Sequence, residues 1–278
     1  MKRLPIGIQT FETLITDDLL YIDKTELIFK LISQNKYYFL SRPRRFGKSL
    51  LLSTLKEIFL GNKDLFKGLF IYDKIEWEKY PVIHIDLSNV VYNDTIEKFQ
   101  QSFIAELNYI AKKYNVEIKN PINHSYAFNE LIKELSVQNK VVILIDEYDK
   151  PIVDFITNKK KAAINRDLLR DFYSVIKAND QYIKFAFLTG VSKFSKVSLF
   201  SGLNNLKDIT MSTEFSTICG YTQEELEYYF NNRFEDTAKT FGYSVEKLKA
   251  DIKLWYNGYS WDGINKVYNP YSILNFFQ

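Results

Sequence analysis

A chain of 278 residues with 46% hydrophobic and 26% charged residues can bury one large core in at most two domains, and is neither disordered nor fibrous. Its net charge of +3 is small for this size and gives no bulk electrostatic case for a nucleic-acid or membrane-surface protein. A lone cysteine, Cys219, excludes an intrachain disulfide framework, and neither a membrane-length apolar run nor a secretory signal is visible, so the expected setting is the cytoplasm with no membrane partner.

Leu4 to Phe11 reads as an extended entry, closed by a turn at Thr16-Asp17-Asp18. Asp23 and Glu26 have capping-box spacing, which predicts a helix from there to about Ser33; the same stretch is also placed to touch a nucleotide base. Tyr37 to Ser41 is an aromatic and aliphatic run of high β-propensity. Arg42-Pro43-Arg44-Arg45-Phe46-Gly47 then turns into a helix from Lys48 to Phe59, which Gly61-Asn62 stops.

Strand, basic glycine loop and helix form a seat for phosphate. The amides of Arg44, Arg45, Phe46, Gly47, Lys48, Ser49 and Leu50 would face the anion at the positive end of the helix dipole. Lys48 reaches the terminal phosphates and Ser49 ligates a magnesium ion. The match to GxxxxGK[ST] is incomplete, because Arg42 stands where the first glycine belongs and Pro43 has no N–H. A Gly-Lys-Ser tripeptide alone recurs by chance in loops, so this reading leans on its context.

That context is a second motif. Pro81 to Ser88 reads as a strand; its His84 has no metal-spaced companion, and His124 sits in turn chemistry. Helices are predicted from about Asp94 to Tyr114 and Ser125 to Val137. Val141-Val142-Ile143-Leu144-Ile145 follows, with no polar alternation, as expected of a parallel strand buried on both faces. It ends in Asp146-Glu147. Ligands of open α/β sheets bind beyond the carboxyl ends of the strands, so Asp146 would hold the magnesium ion and Glu147 would orient and deprotonate an attacking water.

Lys159-Lys160-Lys161 reads as a charged, solvated loop before a helix from Ala162 to Lys177. Lys184 to Gly190 is another buried strand, whose Thr189 either senses the γ-phosphate and attacking water or satisfies the strand end. Ser192 to Asn205 reads as a loop facing the nucleotide, with Lys193 its cation of interest. A boundary is expected near Glu214, giving a core over 1–214 and a second domain over 215–278. Thr222 and Glu225 form a capping box, and the remainder reads as helical with turns at Asn257-Gly258 and Asp262-Gly263. Ending uncapped at Phe276-Phe277-Gln278, the chain reads as a fragment.

The chain resembles the bacterial AAA-ATPase-like proteins of the STAND branch of phosphate-loop ATPases. The resemblance is carried by Leu4-Pro5-Ile6-Gly7, Tyr21-Ile22-Asp23-Lys24-Thr25, Arg42 to Ser49, Leu144 to Pro151, Thr189-Gly190, Phe200 to Asn205, and Trp255 to Tyr259 with Tyr268-Asn269-Pro270. It implies an α/β fold with a parallel sheet of order 5-1-4-3-2 flanked by helices, a helical lid, and often a PD-(D/E)XK nuclease-like domain farther on, which this sequence does not include. It also implies ATP or ADP as ligand, with self-association or a downstream effector as partner. The leading expectation is slow magnesium-dependent ATP hydrolysis; a GTPase is disfavoured because Leu65 stands where the guanine motif after Asn62-Lys63 needs aspartate. The alternatives are a nucleotide-gated scaffold with negligible turnover and a nucleic-acid module using Lys159 to Lys161 and the arginines. Arg42, Arg44 and Arg45 either neutralise phosphate charge, in cis or on a neighbouring subunit, or pair with surface carboxylates.

Overall fold

The computed structural model describes residues 1–119, 121–193 and 205–278. Its frame is a parallel sheet of β1 (Tyr37–Ser41), β2 (Val82–Asp86), β3 (Val141–Asp146), β4 (Ile183–Gly190) and β5 (Lys207–Asp208), in the order β2-β3-β4-β1-β5. That is the expected order read from the opposite edge. Successive side chains of the central strands alternate between two apolar clusters. Phe39, Ile143, Ile145, Ala186 and Leu188 enter one, while Tyr38, Leu40, Val142, Leu144, Phe185 and Phe187 enter the other. Both faces are therefore covered, which is why these strands lack polar alternation.

Before the sheet come α1 (Phe11–Thr16) and α2 (Thr25–Gln34). The entry is thus not wholly extended: Phe11 and Leu14 are buried, and the Phe11 amide donates to Ser53 Oγ. The capping box expected at Asp23 and Glu26 does not form. Asp23 accepts from the Thr25 amide and from the Phe70 amide, and Glu26 pairs with Lys30 instead. On one face of the sheet packs α3 (Lys48–Phe59); on the other lie α4 (Ile96–Lys113), α5 (His124–Ser136) and α7 (Lys159–Ala178), with the short α6 (Lys150–Val153) directly after the acidic strand. Lys159 to Lys161 form the first turn of α7 rather than a loop, because Asn158 caps the Lys161 amide one turn earlier than expected.

Beyond Glu214 lie α8 (Gln223–Tyr229), α9 (Asn231–Phe241) and α10 (Val245–Tyr256), then an antiparallel hairpin of β6 (Asn257–Ser260) and β7 (Lys266–Tyr268), and α11 (Pro270–Phe276). The segment is therefore not all helical. Asn257-Gly258 begins a strand, and only Asp262-Gly263 makes a turn: Asp262 accepts from the Ile264 and Asn265 amides while Gly263 takes a φ of 77°. The predicted capping box is present, with Thr222 accepting from the Glu225 amide and Glu225 from the Thr222 amide. No described helix is long and apolar enough to cross a membrane.

Candidate functional site

Because the sheet is parallel, β1, β3 and β4 present their carboxyl ends along one rim, with β4 between the other two. Gly47, in the left-handed region at a φ of 88°, lets the chain turn from loop into α3 at Lys48. Ser49 in that first turn then reaches across the rim. Its Oγ donates to Asp146 Oδ2 at 2.5 Å, while Thr189 Oγ1 donates to Asp146 Oδ1 at 2.5 Å and the Glu147 amide donates to the same Oδ1 at 2.9 Å. Three residues from three separated segments thus form one hydrogen-bonded row around a carboxylate only 3% exposed. Of the two readings for Thr189, the structure puts its hydroxyl on Asp146.

Lys48 is buried, and its Nζ donates to the carbonyls of Arg42 at 2.9 Å and Pro43 at 3.0 Å. Burial pulls its pKa down, against the opposing pull of negative groups that include Asp146, Asp149 and Glu147. The ammonium therefore lies in the field of the acids at the rim. Ser49 Oγ and the Asp146 carboxylate are hard oxygen donors on adjacent elements, a set that suits magnesium, which takes one or two protein oxygens and completes its shell with water and phosphate. Among the described residues no cluster of three or more His, Cys, Asp or Glu forms a fuller metal cage. His124 is a core histidine, its Nε2 beside the Leu168 carbonyl.

Glu147 takes a φ of 51°, unusual for a non-glycine residue. Its Oε2 lies 3.7 Å from Lys150 Nζ, which also pairs with Asp154 at 3.3 Å. Partial burial pushes the Glu147 carboxyl above its usual range, and Lys150 draws it back. Proximity to Asp86, the residue opposite Asp146 in the β2–β3 register, adds to the rise.

The arginines separate by fate. Arg42 is neither a surface ion-pair partner nor a free finger: it is 1% exposed, donates from Nη1 to the Ser41 and Thr210 carbonyls, and lies 4.4 Å over the Trp261 ring. Burial lowers its pKa to about 10. Arg45 is exposed and sits 3.8 Å over the Tyr271 ring. Arg44 is exposed, with no ion-pair partner among the described residues.

Two residues within the quoted motifs have a role that the sequence reading did not assign. Asp149, 1% exposed, accepts from the amides of Val191 and Ser192 at 3.1 and 2.6 Å, fastening the exit of β4 to the end of β3. Gly190 permits that closeness, since a Cβ there would fall 2.4 Å from Asp149 Oδ1 and from Tyr148 Cδ1. The one available signal was a third acid just after Asp146-Glu147. Lys193 is paired with Asp208 at 2.7 Å, and the rest of the loop expected to face the nucleotide, 194–204, lies outside the described residues.

Beside Gly47 opens a narrow, mainly apolar cleft of about 70 Å³. Its walls come from Tyr21, Ile22 and Lys24 ahead of α2, from Leu50 and Thr54 of α3, and from Ile218 to Tyr221. Lys24 is tied across this cleft to both oxygens of Glu225, at 2.5 and 2.6 Å, and to the Thr217 carbonyl. The stretch around Asp23, which reads on its sequence mainly as a helix cap, therefore lines a cavity. Cys219 is buried in the same wall, and burial pushes its thiol up, away from nucleophilic use.

A family model described as Predicted AAA-ATPase matches residues 5–200. A protein of Azotobacter chroococcum mcd 1, described as "Uncharacterized protein in vnfD 5'region", is 45% identical over 282 residues, covering 100% of this chain and 52% of that protein. The chain thus spans about half the length of that relative. No solved structure matches.

Proposed function

We propose that this chain, which belongs to the predicted AAA-ATPase family, binds ATP and ADP and hydrolyses ATP slowly in the presence of magnesium. The observation that carries this reading is the Ser49–Asp146–Thr189 row, in which the helix after the phosphate loop and the strand β4 each bond one oxygen of the acidic strand's carboxylate. Lys48, released from the Arg42 and Pro43 carbonyls, would hold the terminal phosphates together with the amides of residues 44–50. Ser49 and Asp146 would hold a magnesium ion, which supplies charge neutralisation at the phosphate oxygens. Glu147 would take the proton of the attacking water, and its raised pKa suits a base better than an ordinary surface carboxylate does. Thr189, whose hydroxyl is bonded to Asp146, would keep that carboxylate in place beside the γ-phosphate. The mainly apolar cleft beside Gly47 would take the base, widening as it does so.

In this reading residues 1–214 form the ATPase core and 215–278 a lid, in a cytoplasmic STAND-type module whose nucleotide state is passed to an effector. The uncovered half of the Azotobacter relative has room for such an effector, a nuclease-like domain among the possibilities. Calorimetric titration with ATP and magnesium tests the site: Lys48→Ala should abolish binding, and wild-type affinity in that variant would refute the assignment.

A second reading, a nucleotide-gated scaffold, is favoured by one observation, the Lys150 ammonium 3.7 Å from the Glu147 carboxylate. Phosphate release separates the two. A Glu147→Gln variant that releases phosphate as fast as wild type favours the scaffold.

A further inference from the structure

The phosphate loop does not encode its own shape. Arg42 stands at the first glycine position, Pro43 offers no N–H, and Arg45 occupies the left-handed region at a φ of 68°, where arginine is disfavoured. Such a backbone persists only where surrounding structure over-determines it. Lys48 ties the Arg42 and Pro43 carbonyls from within, and Arg42 Nη1 holds the Ser41 and Thr210 carbonyls; the aromatic contacts at Arg42, Arg45 and Phe46 come from the far end of the chain. Phe46, fully buried, packs edge-on against Tyr259 at 4.7 Å and Trp261 at 5.5 Å. The Arg42 guanidinium lies 4.4 Å over Trp261, and that of Arg45 3.8 Å over Tyr271. Nε and Nη2 of Arg42 are buried with no hydrogen-bond partner among the described residues, so the indole face is a principal compensation for that charge.

We propose that the β6–β7 hairpin and the start of α11 position the phosphate loop, with Tyr259, Trp261 and Tyr271 holding it in its anion-receiving shape, so that nucleotide affinity depends on side chains that touch no phosphate. The inference rests on the ATP-binding reading above. By reciprocity of linkage, nucleotide bound to the loop in this shape strengthens the contact between loop and hairpin by the same free energy that the hairpin lends to binding.

The test compares ATP affinity of wild type, Trp261→Ala, Trp261→Phe and Tyr271→Ala, each checked by circular dichroism for folding. Trp261→Ala should weaken binding about tenfold, the scale of losing one desolvated cation–π contact and its aromatic neighbour. Trp261→Phe, which keeps a ring under Arg42 and against Phe46, should recover most of it, a rescue that general destabilisation does not predict. Tyr271 is 36% exposed, so Tyr271→Ala keeps the test alive if Trp261→Ala fails to fold; it should weaken binding about threefold, in line with a more exposed cation–π pair. Folded variants that bind ATP as tightly as wild type would overturn the positioning role alone. A wild-type protein that binds no ATP would remove the nucleotide reading and this inference together.

Discussion

Replacing Thr189 by valine removes a single hydroxyl from the centre of the site and keeps the shape of the side chain. The hydroxyl is fully buried and donates to Asp146 Oδ1 at 2.5 Å, leaving that oxygen only the Glu147 amide once it is gone. A hydrogen bond to a charged acceptor contributes about 1.5–3 kcal/mol. The incoming methyl would also crowd the carboxylate, since a carbon does not settle closer than about 3.3 Å to an oxygen. Easing that contact in a packed interior costs about 1 kcal/mol more. A loss of about 2.5–4 kcal/mol corresponds to a fall in melting temperature of roughly 5–16 °C for a chain of this size. Thermal melts of wild type, Thr189→Val and Thr189→Ser measure it, and serine, which keeps the hydroxyl, should recover most of the difference. Phosphate release should fall in Thr189→Val by more than ATP affinity does, because Asp146 is left less firmly held. A valine variant melting within a degree of wild type would show that the bond contributes nothing and would sink the reasoning.

Gly190→Ala tests the neighbouring close approach. With a Cβ 2.4 Å from both Asp149 Oδ1 and the Tyr148 ring, overpacking should lower stability by about 1–3 kcal/mol, read as an earlier urea midpoint; an unchanged midpoint would mean that the β4 exit yields freely. Lys150→Met tests Glu147. A base works only when deprotonated, so hydrolysis should fall as pH drops through the Glu147 pKa, which burial already raises. Lys150 opposes that rise, and removing it should move the acid limb of the pH–rate profile to higher pH; a limb that stays put or moves lower would contradict the pairing.

What could be read from the residues alone divides along the range of the interactions involved. The central strands were legible because burial on both faces leaves an unbroken apolar run, and Thr222 with Glu225 because a capping box closes within one turn. Asp23 misled for the complementary reason. Its spacing to Glu26 is right for a box, but one carboxylate oxygen is claimed by the Phe70 amide 47 residues away and the other by the amide and hydroxyl of Thr25. The hairpin was missed because Asn257-Gly258 carries a turn signature while its actual state is set by pairing with β7, and β7 is tied in turn to Tyr221. β5 has two half-buried residues and no pattern to find.

The candidate site itself depends on a third kind of information, strand register, which no motif contains. Leu40 stands opposite Thr189 in the β1–β4 pairing, and Ile145 opposite Leu188 in the β3–β4 pairing, so Asp146 and Thr189 come level at the rim. A slip of one residue would present Leu188 or Gly190 there and send the hydroxyl to the opposite face. Register is fixed by the same alternation that sorts Leu188 into one apolar cluster and Phe187 into the other, since a slip would exchange those two large side chains between differently shaped interiors. The apolar residues of β4 thereby determine that a threonine, and not its neighbour, meets Asp146. Gly-Lys-Ser and Asp-Glu, each common enough in loops, become one site through that packing.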